Sequence, residues 1–67
     1  MKYSELANQD IRRRAKESGV RIFELCAPLH ISEATLTRRL RYELDERDTA
    51  RYLAAIDEIA ESRAAMA

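Results

Sequence analysis

Three arginines, Arg38, Arg39 and Arg41, fall within four residues and follow Ser32 and Glu33 closely enough to share one short helix with them. A guanidinium is always charged and presents a fork of donors that fits phosphate oxygens and the O6/N7 edge of guanine. Taken alone, such a cluster is a solvated helix face. Its place directly after a turn and a serine cap shifts the reading to contact with DNA. A second basic cluster, Arg12, Arg13, Arg14 and Lys16, is evenly balanced between phosphate contact and solubility. Successive residues step by about 100° around a helix, so only about two of these four can face one partner.

Other chemistries find little to work with. The one cysteine, Cys26, has no partner for an internal disulfide, and with His30 it makes too few ligands for a zinc site. One histidine, one cysteine and carboxylates scattered over helix surfaces leave no group that a deep pocket could tune for acid, base or nucleophile work. The expectation is a binding protein, not an enzyme, with no cofactor, no metal and no small-molecule substrate. Cys26 reads as a small buried residue and His30 as a turn residue. Tyr3, Tyr42 and Tyr52 read as packing or surface aromatics.

The chain has 67 residues and a formal net charge of zero, with 36% charged residues. That balance hides a division. Residues 1–42 carry nine Lys and Arg against five Asp and Glu, whereas residues 43–67 carry three against seven. The first part therefore suits an electropositive working surface and the second an acidic, solvated or partner-facing one. No apolar run approaches the roughly 18 residues of a membrane span, and MKYSELANQD lacks the apolar stretch of a secretory signal, so a cytoplasmic location with no membrane partner is expected.

A single Gly, a single Pro and almost no alternating apolar pattern argue against strands, while Ala, Leu, Arg and Glu dominate. The spacing predicts an all-α chain of four helices. Ala7, Ile11 and Ala15 recur every four residues on a first helix over about 8–18, capped by Asn8 or Asp10 and stopped by Gly19. Ile22, Leu25, Cys26 and Leu29 form the stripe of a second helix from about Arg21, which Pro28 should kink or end early. Ser32 caps a third helix from about Glu33, with Leu36 and Leu40 inward and Glu33, Ala34, Thr37, Arg38 and Arg41 outward. Asp45 and Asp48 form an approximate capping box for a last helix, whose buried face is expected at Leu53, Ile56, Ile59 and Ala60. One domain over residues 1–67 is expected, with residues 1–6 and 64–67 as loose ends.

The segment IFELCAPLHISEATLTRRLR, residues 22–41, resembles the helix-turn-helix of the phage repressor and Cro-like family. Leu25 and Cys26 fall at its leucine and small-residue pair, Leu29 before the turn, Ile31 after it, Ser32 at the cap and Leu36 at the aliphatic position of the recognition helix. The small Cys26 lets two helices cross closely, and Leu25, Leu29, Ile31 and Leu36 fill the angle between them. Departures are His30 at the turn position usually held by Gly, Arg39 where an aliphatic residue is usual, and Pro28. The stretch from Asn8 through Leu44 is also similar to small helix-turn-helix regulators of bacterial phages and mobile elements.

The resemblance implies a compact four-helix, lambda-repressor-like domain whose third helix enters the major groove of double-stranded DNA. By position, Glu33, Ala34, Thr37 and Arg38 would meet base edges, and Arg12, Arg13, Arg21 and Arg41 would hold phosphates. Phe23 would rest against the sugar-phosphate backbone or cover the edge of the core. The function implied is sequence-specific DNA binding, as a transcriptional regulator or a mobile-element accessory factor. The competing reading is a helical protein-interaction module, antitoxin-like or adaptor, that engages a partner through the acidic last helix. One recognition helix reads about half a site, so a homodimer is a further expectation, with Tyr52, Ile59 and Met66 on the outward side of the last helix as its contact.

Overall fold

The computed structural model describes residues 7–66; the loose end expected over residues 1–6 lies outside that range, as does Ala67. Among the described residues there are four α-helices and no strand, as the composition predicts. Helix α1 spans Gln9–Ser18, a 3-10 turn over Ile22–Leu25 runs directly into the short helix α2 at Cys26–Leu29, α3 spans Glu33–Leu40, and α4 spans Glu46–Met66. No helix of the described residues is long and apolar enough to cross a membrane.

The core is one cluster fed by every element: Ile11 and Ala15 from α1, Val20 after it, Leu25 and Leu29 around α2, Leu36 and Leu40 from α3, and Tyr52, Ala55 and Ile56 from α4. Ile22, Cys26 and Ile31 pack against it half-buried, so the apolar stripe read between Ile22 and Leu29 faces inward as expected. Pro28 acts as its chemistry requires. It has no N–H to give back to Glu24, and the segment opens as a tighter 3-10 turn, becomes α-helical only at Cys26 and ends at Leu29.

Two helix ends share one device. After α1, the Val20 N–H donates to the Ala15 carbonyl at 2.8 Å and the Gly19 N–H to Lys16 at 3.2 Å, with Gly19 left-handed at φ 70°. After α2, the Ile31 N–H donates to Cys26 at 3.1 Å and the His30 N–H to Ala27 at 3.2 Å, with His30 left-handed at φ 57°. Both are Schellman closures, in which a left-handed residue turns the chain and an apolar residue follows it inward. His30 thus does the work of a glycine, which the sequence reading anticipates.

Three expectations are corrected. Neither Asn8 nor Asp10 caps α1 with its side chain. Asn8 occupies the cap position in a left-handed conformation but sends its side chain elsewhere, and Asp10 lies in the first turn paired to Arg13 at 3.0 Å. Tyr52 does not lie on the outward side of the last helix; it is 1% exposed. Its ring is the largest body in the core, which rotates the buried face to Tyr52, Ala55 and Ile56 and leaves Leu53, Ile59 and Ala60 half-buried. Finally, residues 64–66 are helical, because Ala and Met sustain the helix there although residues 61–66 are all exposed.

Candidate nucleic-acid interface

Helix α3 is short and firmly started. The Ser32 hydroxyl oxygen accepts the Thr35 N–H at 3.1 Å, and Glu33 places a carboxylate in the positive first turn. Leu36 and Leu40, one turn apart, sink into the core. The period of 3.6 residues then places Arg38 and Ala34 on the other side with Thr37 at its flank, whereas Glu33, three residues before Leu36, lies on the leucines' side and is exposed because it opens the helix. All four are exposed, as is Arg41 just past the helix.

The far end of α3 is fixed by a residue that the sequence reading assigns elsewhere. Asn8, 2% exposed, donates from Nδ2 to the carbonyls of Leu40 at 3.0 Å and Tyr42 at 2.9 Å, and its Oδ1 accepts the Leu44 N–H at 2.9 Å. Its own backbone N–H donates to the Glu43 carboxylate at 3.0 Å. The start of α1 is thereby fastened to the last residue of α3 and to the connection into α4. No spacing rule points to this role; the only signal in the sequence is that asparagine tolerates a left-handed backbone while carrying both donors and an acceptor.

Two adjoining concavities open on the α3 surface. One, of about 530 Å³, is lined by Glu33, Ala34, Thr37, Arg38 and Arg41, so the residues assigned to base edges share one surface with Arg41. The other, of about 420 Å³, again includes Glu33, Thr37 and Arg41 and adds Arg12 of α1, with Ile22, Phe23, Leu36 and Leu40 as its apolar part. Phe23, 52% exposed, stands there rather than sealing the core. The Arg12 guanidinium is steadied by a 3.0 Å bond from Nε to the Ala7 carbonyl. The structure thus joins Arg12 and Arg41 to the α3 face.

It does not join the other two phosphate candidates to it. Arg13 is tied to Asp10 and lines a different concavity, between α1 and α4, with Arg14 and Glu17. Arg21 is exposed ahead of the 3-10 turn and lines neither α3 concavity; its backbone N–H donates to Glu24 at 2.7 Å.

The ion pairs sort the arginines further. Arg13 pairs with Asp10, Arg14 with Asp57, Arg51 with Asp48 and Arg63 with Glu24. Arg12, Arg21, Arg38, Arg39, Arg41 and Arg47 make no ion pair with another described residue. Four of these six, Arg12, Arg38, Arg39 and Arg41, lie on or beside α3, while Arg21 precedes the 3-10 turn and Arg47 lies on α4. Arg39, exposed and unpaired, belongs to this set although it is not among the residues assigned to DNA. The surface offers guanidinium donors, a hydroxyl, a methyl and a carboxylate acceptor on an open face. Among the described residues no group of three His, Cys, Asp or Glu could hold a metal ion.

The chain matches no protein-family model, no curated protein and no solved structure.

Proposed function

We propose that this protein binds double-stranded DNA, with α2 and α3 acting as a helix-turn-helix and α3 lying in the major groove. The observation that carries the reading is the one concavity lined by the exposed Glu33, Ala34, Thr37, Arg38 and Arg41, adjoined by Arg12, on a helix that buries Leu36 and Leu40. An α-helix with its side chains is about 10 to 12 Å across, close to the width of about 12 Å of the B-DNA major groove. In this arrangement Arg38 grips guanine O6 and N7, Glu33 accepts from cytosine N4, and Thr37 and Ala34 meet thymine methyls. Arg41 and Arg12 hold phosphates and set the register. Arg21 and Arg13 are weaker candidates for the same task, Arg13 because Asp10 already engages it. The biological role that follows is regulation of transcription in the cytoplasm or assistance to a mobile element.

Selection of binding sites from random duplex DNA tests this. Enrichment of a short defined sequence is expected. Absence of any duplex binding at low salt would remove the reading and leave a helical protein-interaction module in its place.

A further inference from the structure

Helix α4 carries a second ordered surface, on the side away from the core. Arg47, Arg51, Ala54, Glu58, Glu61 and Ala65 recur at spacings of four, three, four, three and four residues, and all six are exposed. At about 100° per residue these positions fall within a strip roughly 80° wide, opposite Tyr52, Ala55 and Ile56. The strip is divided by charge: two arginines before Ala54 and two glutamates after it.

We propose that this strip pairs with the same strip of a second copy of the chain, antiparallel, with Ala54 of each copy at the two-fold axis. The pattern is self-complementary in that orientation alone. Arg47 and Glu61 each stand seven residues from Ala54, about 10.5 Å along the helix, so each meets the other across the axis. Arg51 and Glu58 stand three and four residues away, about 4.5 and 6 Å, and meet in the same way. A parallel pair would set arginine on arginine and glutamate on glutamate. The small side chain at position 54 lets the helix axes approach at the centre, where a long one would hold them apart.

The monomer leaves these charges poorly served. Arg47 and Arg51 are like charges four apart, and Glu58 and Glu61 are like charges three apart, spacings that disfavour an isolated helix. Arg51 reaches only Asp48 on its own helix, at 3.6 Å, and Arg47, Glu58 and Glu61 have no ion pair with another described residue. A second copy supplies each with an opposite charge. The isologous contact needs no DNA and does not rest on the DNA reading. It also replaces the contact expected at Tyr52, which is closed inside the core.

Sedimentation equilibrium of the full chain, at low ionic strength and up to millimolar concentration, is the test. The unaltered protein is expected to show a monomer–dimer equilibrium that weakens as salt is raised. Arg47→Glu with Arg51→Glu, and separately Glu58→Arg with Glu61→Arg, should each weaken the dimer by at least about an order of magnitude. Combining all four substitutions restores the complementary pattern in mirror order and should restore the dimer. Far-UV circular dichroism checks that each variant keeps its helix. Ala54→Cys in a Cys26→Ala background should form a disulfide-linked dimer on mild oxidation. A monomer at every concentration, a dimer indifferent to the double reversals, or a fourfold exchange that restores nothing would each overturn the proposal.

Discussion

The side-chain oxygen of Asn8 accepts the backbone N–H of Leu44 at 2.9 Å, joining positions 36 residues apart. Because the same side chain gives both amide hydrogens to the Leu40 and Tyr42 carbonyls, its orientation is dictated by its partners: two carbonyls can only accept and one N–H can only donate. One buried amide thus holds the start of α1, the end of α3 and the approach to α4 together. Asn8→Ala is expected to cost about 2 to 4 kcal/mol, since it strands groups in a poorly hydrated place. Asn8→Asp should also destabilise, by turning acceptors toward acceptors. Urea denaturation followed by circular dichroism measures both, and a cost below about 0.5 kcal/mol for Asn8→Ala would show that the fastening is dispensable.

Much of this fold is legible in the residues, and the exceptions share a cause. Ser32, Gly19 and the pairs Ile11/Ala15 and Leu36/Leu40 act locally, within a turn or two, so caps and period reveal them. Asp45 likewise accepts the Asp48 N–H at 2.8 Å, as the local pattern predicts. Asn8 and Tyr52 are decided by segments more than 30 residues away or on other helices. Local spacing makes Asn8 a cap, and it leaves Tyr52, beside the nominal Leu53 and Ile56 stripe, on the wrong side. The same holds at the α3 surface. That Ala34 and Arg38 point outward follows from period alone, and the pair of Arg13 with Asp10, three residues apart on α1, is equally local, whereas the meeting of Arg12 with Arg41 in one concavity depends on how α1 lies against its neighbours.

His30 at φ 57° has a side chain where the backbone favours none. His30→Gly is expected to raise stability by about 0.5 to 1 kcal/mol, the strain relieved exceeding the chain entropy glycine costs in the unfolded state. Gly19→Ala provides the converse. A Cβ there would meet nothing within 4 Å, so its expected cost of about 1 kcal/mol comes from the left-handed backbone alone. Thermal unfolding of the two variants beside the parent tests whether they move in opposite directions.

The Tyr52 hydroxyl is buried without a hydrogen-bond partner among the described residues. Tyr52→Phe keeps the ring and removes the unsatisfied oxygen, and is expected to raise stability by about 1 kcal/mol. Tyr52→Ala removes the ring and should cost about 3 to 5 kcal/mol, enough to leave a domain of this size largely unfolded. A loss on Tyr52→Phe, measured by urea denaturation, would contradict the unsatisfied hydroxyl.

Arg63 reaches from α4 to the Gly19 carbonyl at 2.8 Å and also pairs with Glu24, so the end of α4 holds the turn between α1 and the 3-10 segment. Both side chains keep contact with water, which limits the worth of the ion pair. Arg63→Ala is expected to lower stability by about 1 kcal/mol, more of it at low salt than at high. Arg13→Ala, which removes only an exposed pair within α1, should change stability by less than about 0.5 kcal/mol. Equal effects of the two would mean that Arg63 is an ordinary surface arginine.

On the DNA reading, Arg38 and Arg41 differ in kind although they share one concavity. Arg38 lies on the exposed face of α3 itself, so Arg38→Ala should cost about 1 to 3 kcal/mol on the selected sequence and blunt the preference for one base pair. Arg41 stands past the helix end, nearer Arg12, and Arg41→Ala should weaken binding to selected and random duplexes by the same factor. It should also lower the slope of log affinity against log salt by about one, as one phosphate contact is lost. Fluorescence anisotropy titrations on both duplexes over a range of salt separate these outcomes. A loss of preference from Arg41→Ala with none from Arg38→Ala would exchange their roles and require α3 to enter the groove by its other end.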